Sequence, residues 1–177
     1  MDYLLLEIEK ALQNQEYFIA LFCTLALPDI CAALESEKGE TSGALYRAWY
    51  EKNMIDKKTL NAEQCYNFRC KLLHQGLSSY QSSRKQKHSS DPKPLEQRII
   101  FVYPNNQLTV DNCRFMLGGK EAIAVDLINF CSNMIKSVRV WKARMKNDPT
   151  FIKNSENLTT IHPEGISPYI GGFPIIG

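Results

Sequence analysis

From Lys120 to Lys146 the apolar side chains fall on one helical face, and this run constrains the fold more than any other part of the chain. Ile123, Leu127, Phe130, Met134, Val138 and Trp141 recur every three or four residues. Ala124, Ile128, Cys131 and Ile135 widen the stripe. A face this broad has to be buried along most of its length. The spacing predicts one long helix over 120–146, packed deep in the domain or against a partner subunit.

Helical patterning also dominates the first half. Leu4, Leu5, Ile8 and Leu12 mark one stripe and Phe18, Leu21, Phe22 and Leu25 another, with the polar Gln13-Asn14-Gln15 bending or dividing the helix between them. Pro28 suits a first helical position, so a separate short helix carrying Ile30, Cys31 and Leu34 is expected to start there. Thr41 or Ser42 can cap a helix bearing Leu45, Tyr46, Trp49 and Tyr50. Asn61 can cap another, in which Cys65, Phe68 and Leu72 line up until Gly76 stops it. The uncharged stretch Tyr17 to Leu27 is too short to cross a bilayer and reads as a core helix.

Residues 78–118 break this pattern. Ser82 to Ser90 is polar and basic, with no large apolar side chain, and reads as an exposed loop. Arg98 to Tyr103 is β-branched and aromatic, Pro104-Asn105-Asn106 supplies a turn, and Leu108-Thr109-Val110 can return as a second strand. After Asp148 periodicity fades into a Gly- and Pro-rich apolar end. The expected architecture is mainly α: a helical domain over 1–147 with a small hairpin and loop insertion at 78–118. The irregular tail, 148–177, packs on the domain or a partner.

Composition narrows the function classes. A net charge of +2 is too mild to argue for nucleic acid alone. The first residues lack a basic leader and Glu7 interrupts their apolar run, so no secretory signal is expected and the reading is cytoplasmic, with no membrane partner. The six cysteines, at 23, 31, 65, 70, 113 and 131, are then expected to be free thiols. Cys65 and Cys70 lack the second compact Cys/His pair that a zinc site needs. No glycine-rich phosphate loop or nucleophile elbow is present, so neither a metal nor a cofactor is implied.

One motif remains, Arg69-Cys70-Lys71-Leu72-Leu73-His74, near the end of its helix. With its setting among early helices, a small insertion and a closing helix, it resembles the HEPN superfamily, which is all-helical and carries an Arg-(four to six residues)-His motif. The resemblance covers 2–146 and leaves the insertion and tail outside it. It implies an antiparallel helical bundle, a homodimer whose two motifs face one cleft, and metal-independent RNA cleavage. It also implies a toxin–antitoxin or phage-defence setting, with an antitoxin protein as a further partner.

In that reading Arg69 and His74 are the catalytic pair. An imidazole titrates near neutrality and can take a proton from a ribose 2′-hydroxyl or give one to the leaving oxygen. A guanidinium stays cationic and can hold the scissile phosphate at two points. Cys70 and Lys71 within the motif, and Arg84, Lys85 and Lys87 in the basic loop, complete the candidate substrate-binding set. Where Cys70 stands, the family commonly has a polar residue such as Asn or Asp.

Two other readings stay open at this point. The domain can be a noncatalytic module that binds a nucleotide or RNA, or assembles with a partner. Alternatively His74 only meets the carbonyls of a helix end, and Arg69 pairs with Asp29, Glu35 or Glu63. Geometry bears on the choice, because residues five apart on an ideal helix point about 140° apart.

Overall fold

The structure, a computed structural model, describes residues 1–81, 96–103 and 110–177. Helices α1 (Asp2–Gln13), α2 (Tyr17–Glu35), α3 (Gly43–Asn53) and α4 (Ala62–Gln75) come first. The polar residues after Leu12 divide α1 from α2, with Gln15 at φ 62°. Ser42 caps α3 by accepting from the Leu45 amide, and Asn61 caps α4 in a reciprocal box with Gln64.

Pro28 does not start a helix; it lies inside α2, which runs unbroken for 19 residues. A mid-helix proline removes one backbone hydrogen bond and costs about 3 kcal/mol. Here Leu25, Leu27, Cys31 and Leu34 are buried on either side of it, and α2 packs against α1, α3, α4, α5 and α6, whose ranges follow. Burying several such side chains outweighs the lost bond. The apolar segment is therefore longer than its sequence suggested. Among the described residues α2 is the one helix long and apolar enough to cross a membrane, and half of that window is buried inside the protein.

The second half departs from a helical bundle. Strands β1 (Ser79–Gln81), β2 (Glu96–Val102), β3 (Cys113–Leu117) and β4 (Lys120–Asp126) form one mixed sheet in the order β1-β2-β4-β3. β2 and β4 are parallel, with Ile99 opposite Ile123; β1 and β3 flank them antiparallel. The mainly α expectation is thus wrong: six helices accompany a four-stranded sheet, and the fold is an α/β mix.

The run read as one long helix contains the reason. Its first seven residues are β4, and α5 (Leu127–Met145) begins only after them. Ile123 and Leu127 are four apart, so a helical template fits across the junction by coincidence of spacing. Ala122, Ile123, Ala124 and Val125 are all buried, as in an interior strand covered on both faces. Asp126 ends the strand and caps the helix, accepting from the Asn129 amide at 2.8 Å. Gly118 and Gly119, at φ 57° and 77°, make the two-residue turn that joins β3 to β4.

The expected strand near Arg98 to Tyr103 is present as β2, but its neighbours are β1 and β4. Of the expected return strand, Leu108 and Thr109 lie outside the described residues and Val110 belongs to no strand. The region expected to be irregular opens with α6 (Pro149–Ser155), capped by Asp148. Phe151 packs edge-on against Trp141 at 5.5 Å, and Trp141 in turn against Trp49 at 5.8 Å. Asn154 Nδ2 donates to the carbonyls of Ala33, Leu34 and Ser36, which closes the end of α2. Two small ladders follow: β5 (Ile161–His162), β6 (Gly165–Ile166), β7 (Ile170–Gly171) and β8 (Ile175–Ile176) pair as β5 with β8 and β6 with β7.

Candidate functional site at the end of helix α4

Helix α4 buries Cys65, Phe68 and Leu72 at spacings of three and four, so the intervening side chains face outward or toward α2 and α3. Gly76 ends the helix at φ 67°, its amide donating to Leu72 while the Leu77 amide reaches Lys71. His74 is in this last turn and is exposed. Arg69 lies one turn and a half earlier, beside α2.

The Arg69 guanidinium has two sets of partners. Nη2 is 2.5 Å from Asp29 Oδ2, an ion pair across the α2–α4 interface in which the side chains are only 20% and 13% exposed. Nη1 is 3.4 Å from His74 Nε2 and 3.8 Å from Cys70 Sγ. The length of the arginine side chain overcomes the angular separation on the helix. A guanidinium only donates, so this contact leaves Nε2 as the acceptor and the ring proton on Nδ1. Burial pushes the Asp29 carboxyl above its ordinary value; Arg69, Thr41 and His74 oppose that shift without cancelling it.

A second set of groups adjoins Cys70. Tyr66, one turn earlier on α4, faces Cys70, and its interaction with that thiol and then burial raise its phenol above the usual value. Arg47 of α3 lies 4.6 Å over the Tyr66 ring and 3.3 Å from Glu63. Gly43, at the start of α3, is so close to the Tyr66 ring that a Cβ there would lie 2.6 Å from Cζ.

The structure therefore brings together Arg69, His74 and Cys70 of the candidate set, and adds Asp29 as the partner of Arg69. Lys71 is about 200° around the helix from Arg69, and its Nζ donates to Gln75 Oε1 at 3.0 Å. Arg84, Lys85 and Lys87 lie outside the described residues. Tyr66 was not singled out by the sequence, although its place four residues before Cys70 puts the two on one face. Among the described residues no three His, Cys, Asp or Glu side chains are grouped to hold a metal ion. Buried Cys65 and Cys131 have thiols raised to about 12, first by desolvation. No protein family, curated protein or solved structure matches the chain.

Proposed function

We propose that this protein is an endoribonuclease that works as a cytoplasmic homodimer, with Arg69 and His74 as its reacting pair. The observation that carries the reading is the 3.4 Å approach of Arg69 Nη1 to His74 Nε2 at an exposed helix end. A phosphate entering there takes over the Nη1 donors and leaves Nε2 free to accept a proton. The 2′-hydroxyl gives its proton to Nε2, O2′ attacks phosphorus, and the P–O5′ bond breaks. The products are a 2′,3′-cyclic phosphate and a 5′-hydroxyl, the leaving oxygen taking a proton from His74 of a second copy. Arg69, held by Asp29, stabilises the charge that builds on the phosphoryl oxygens. An antitoxin protein fits this reading as an inhibitor.

A second reading draws on the Arg69–Asp29 pair. A guanidinium already matched by a half-buried carboxylate is also what a tie between two helices requires, so the same groups suit a noncatalytic module that binds RNA or a nucleotide. Incubation with single-stranded RNA in chelator separates the two. The enzyme yields fragments ending in cyclic phosphate, and His74→Ala abolishes them. Retained binding without cleavage in the wild type selects the module instead. Equal cleavage by wild type and His74→Ala removes His74 from the chemistry.

A further inference from the structure

The segment 159–177 is regular yet contains no buried residue. Its two ladders are two residues long per strand. Isolated hairpins of far greater length are only marginally stable in water. This one also exposes Tyr169 (86%), Phe173 (71%) and Ile176 (75%), and it has no charged residue from Gly165 to Gly177. An apolar surface of this kind on a weak scaffold is completed by a partner.

The same chain carries a complementary surface. A cleft of about 400 Å³ opens between helices and sheet; Leu21, Phe68 and Leu72, each at most 7% exposed, form its floor, and Phe101 and Leu117 its open side. Arg98 is the one charged residue among its described lining residues, and its Nε donates to Ser78. Phe115, on the same face of β3 as Leu117, continues the exposed apolar surface.

The tail leaves the helical domain at the opposite end of α2 from the cleft. Asn154, just before the tail, is fixed to the carbonyls of Ala33 to Ser36, whereas the cleft begins at Leu21. At 1.5 Å per residue the two places are about 20 Å apart along the helix. A two-fold pair with antiparallel α2 helices brings each tail over the cleft of the other copy, and both contacts form at once. A lipid surface suits the tail less well, because aromatic anchors there are joined by cations and 156–177 contains no Lys or Arg.

We infer that the C-terminal ladders of one copy dock in the Leu21–Phe68–Leu117 cleft of a second copy, making a reciprocal dimer. Phe68 and Leu72 belong to the helix that carries Arg69 and His74, so the contact forms next to the candidate site. The inference shares the homodimer of the proposed function but not its chemistry. A tail–cleft dimer that never cleaves RNA keeps the inference and sinks the enzyme, whereas cleavage by a dimer indifferent to tail and cleft substitutions keeps the enzyme and sinks the inference.

The test is sedimentation equilibrium of the full chain, wild type against Phe173→Ser in the tail and Leu117→Glu in the cleft. Both side chains are exposed, so far-ultraviolet circular dichroism is expected to be unchanged. If it is not, Tyr169→Ser replaces the tail variant, or Phe115→Glu, on the same face of β3 as Leu117, replaces the cleft variant. The wild type is expected to dimerise, and each variant to weaken dimerisation at least tenfold. Mixing the two variants restores one intact tail–cleft contact and recovers dimers that neither forms alone. A monomeric wild type, a dimer indifferent to the substitutions, or no recovery on mixing overturns the inference.

Discussion

Arg69 of α4 reaches Asp29 of α2 at 2.5 Å, and the other terminal nitrogen of the same guanidinium meets His74 at 3.4 Å. One side chain thus ties two helices and holds an imidazole. Arg69→Lys keeps the charge but not the planar fork, so it cannot serve both partners. RNA cleavage is expected to fall by about 10²- to 10³-fold, the scale of losing one aimed donor. Arg69→Ala in addition leaves the Asp29 carboxylate without its partner, and denaturant unfolding should show a loss of about 1–3 kcal/mol. Wild-type cleavage by Arg69→Lys would count against the proposed role.

Asp29 gives stability a pH dependence of definite sign. Burial raises its folded-state value above the ordinary 3.8. Such a group contributes stability while protonated, fully below the ordinary value, and that contribution is lost as pH rises through the folded-state value. Relative to Asp29→Asn, which does not titrate, the wild type should lose stability between the ordinary carboxylate range and neutrality. Urea unfolding of both proteins over a pH series measures the gap, and a gap independent of pH contradicts the argument.

The cysteines should separate by reactivity. Cys31, Cys65 and Cys131 are buried with thiols raised by desolvation, the last two to about 12, whereas Cys113 is exposed on β3. Because the thiolate is the reacting form, iodoacetamide at neutral pH is expected to modify Cys113 first. The three buried thiols should react only after denaturant is added. Peptide mass spectrometry follows each site, and modification of Cys65 at the pace of Cys113 would refute its burial.

At Gly43 a normally favourable substitution is expected to harm. Alanine in place of a helical glycine stabilises by about 0.5–1 kcal/mol where space allows. Here the new methyl group meets the Tyr66 ring, which Arg47 covers on one face and Tyr46 meets at a 58° tilt, 5.3 Å away. Gly43→Ala should therefore lower stability by about 1–2 kcal/mol. Gly43→Ala combined with Tyr66→Ala relieves the clash, and a thermal melt in which the single substitution raises the midpoint would reject the contact.

Much of the helical half was legible because its punctuation is chemical. Ser42, Asn61 and Gly76 each act through their own side chain or through the freedom of glycine, so their signals are local. The strand at β2 was legible, but the mixed sheet was missed because β4 is an interior strand, whose buried run lacks the alternation that marks a half-buried one. Its spacing then merged with that of α5. Gly118-Gly119 was the available clue, a hairpin turn directly before the supposed helix. At the site, the residues of the Arg69–His74 motif were readable, and Asp29 was one of three carboxylates offered as partners of Arg69. Their convergence was not, since it depends on the reach of one side chain.

The loopless passage from β4 into α5 links two kinds of order that most folds keep separate. With Asp126 shared by strand and helix, a slip of β4 by one residue would exchange its two faces. It would also turn α5 by about 100° about its own axis, carrying Trp141 away from Trp49. The two glycines of the β3–β4 turn thus set the phase of the core: a hairpin closed one residue out of step would misalign sheet and helix together, and the fold has no loop there to absorb the error.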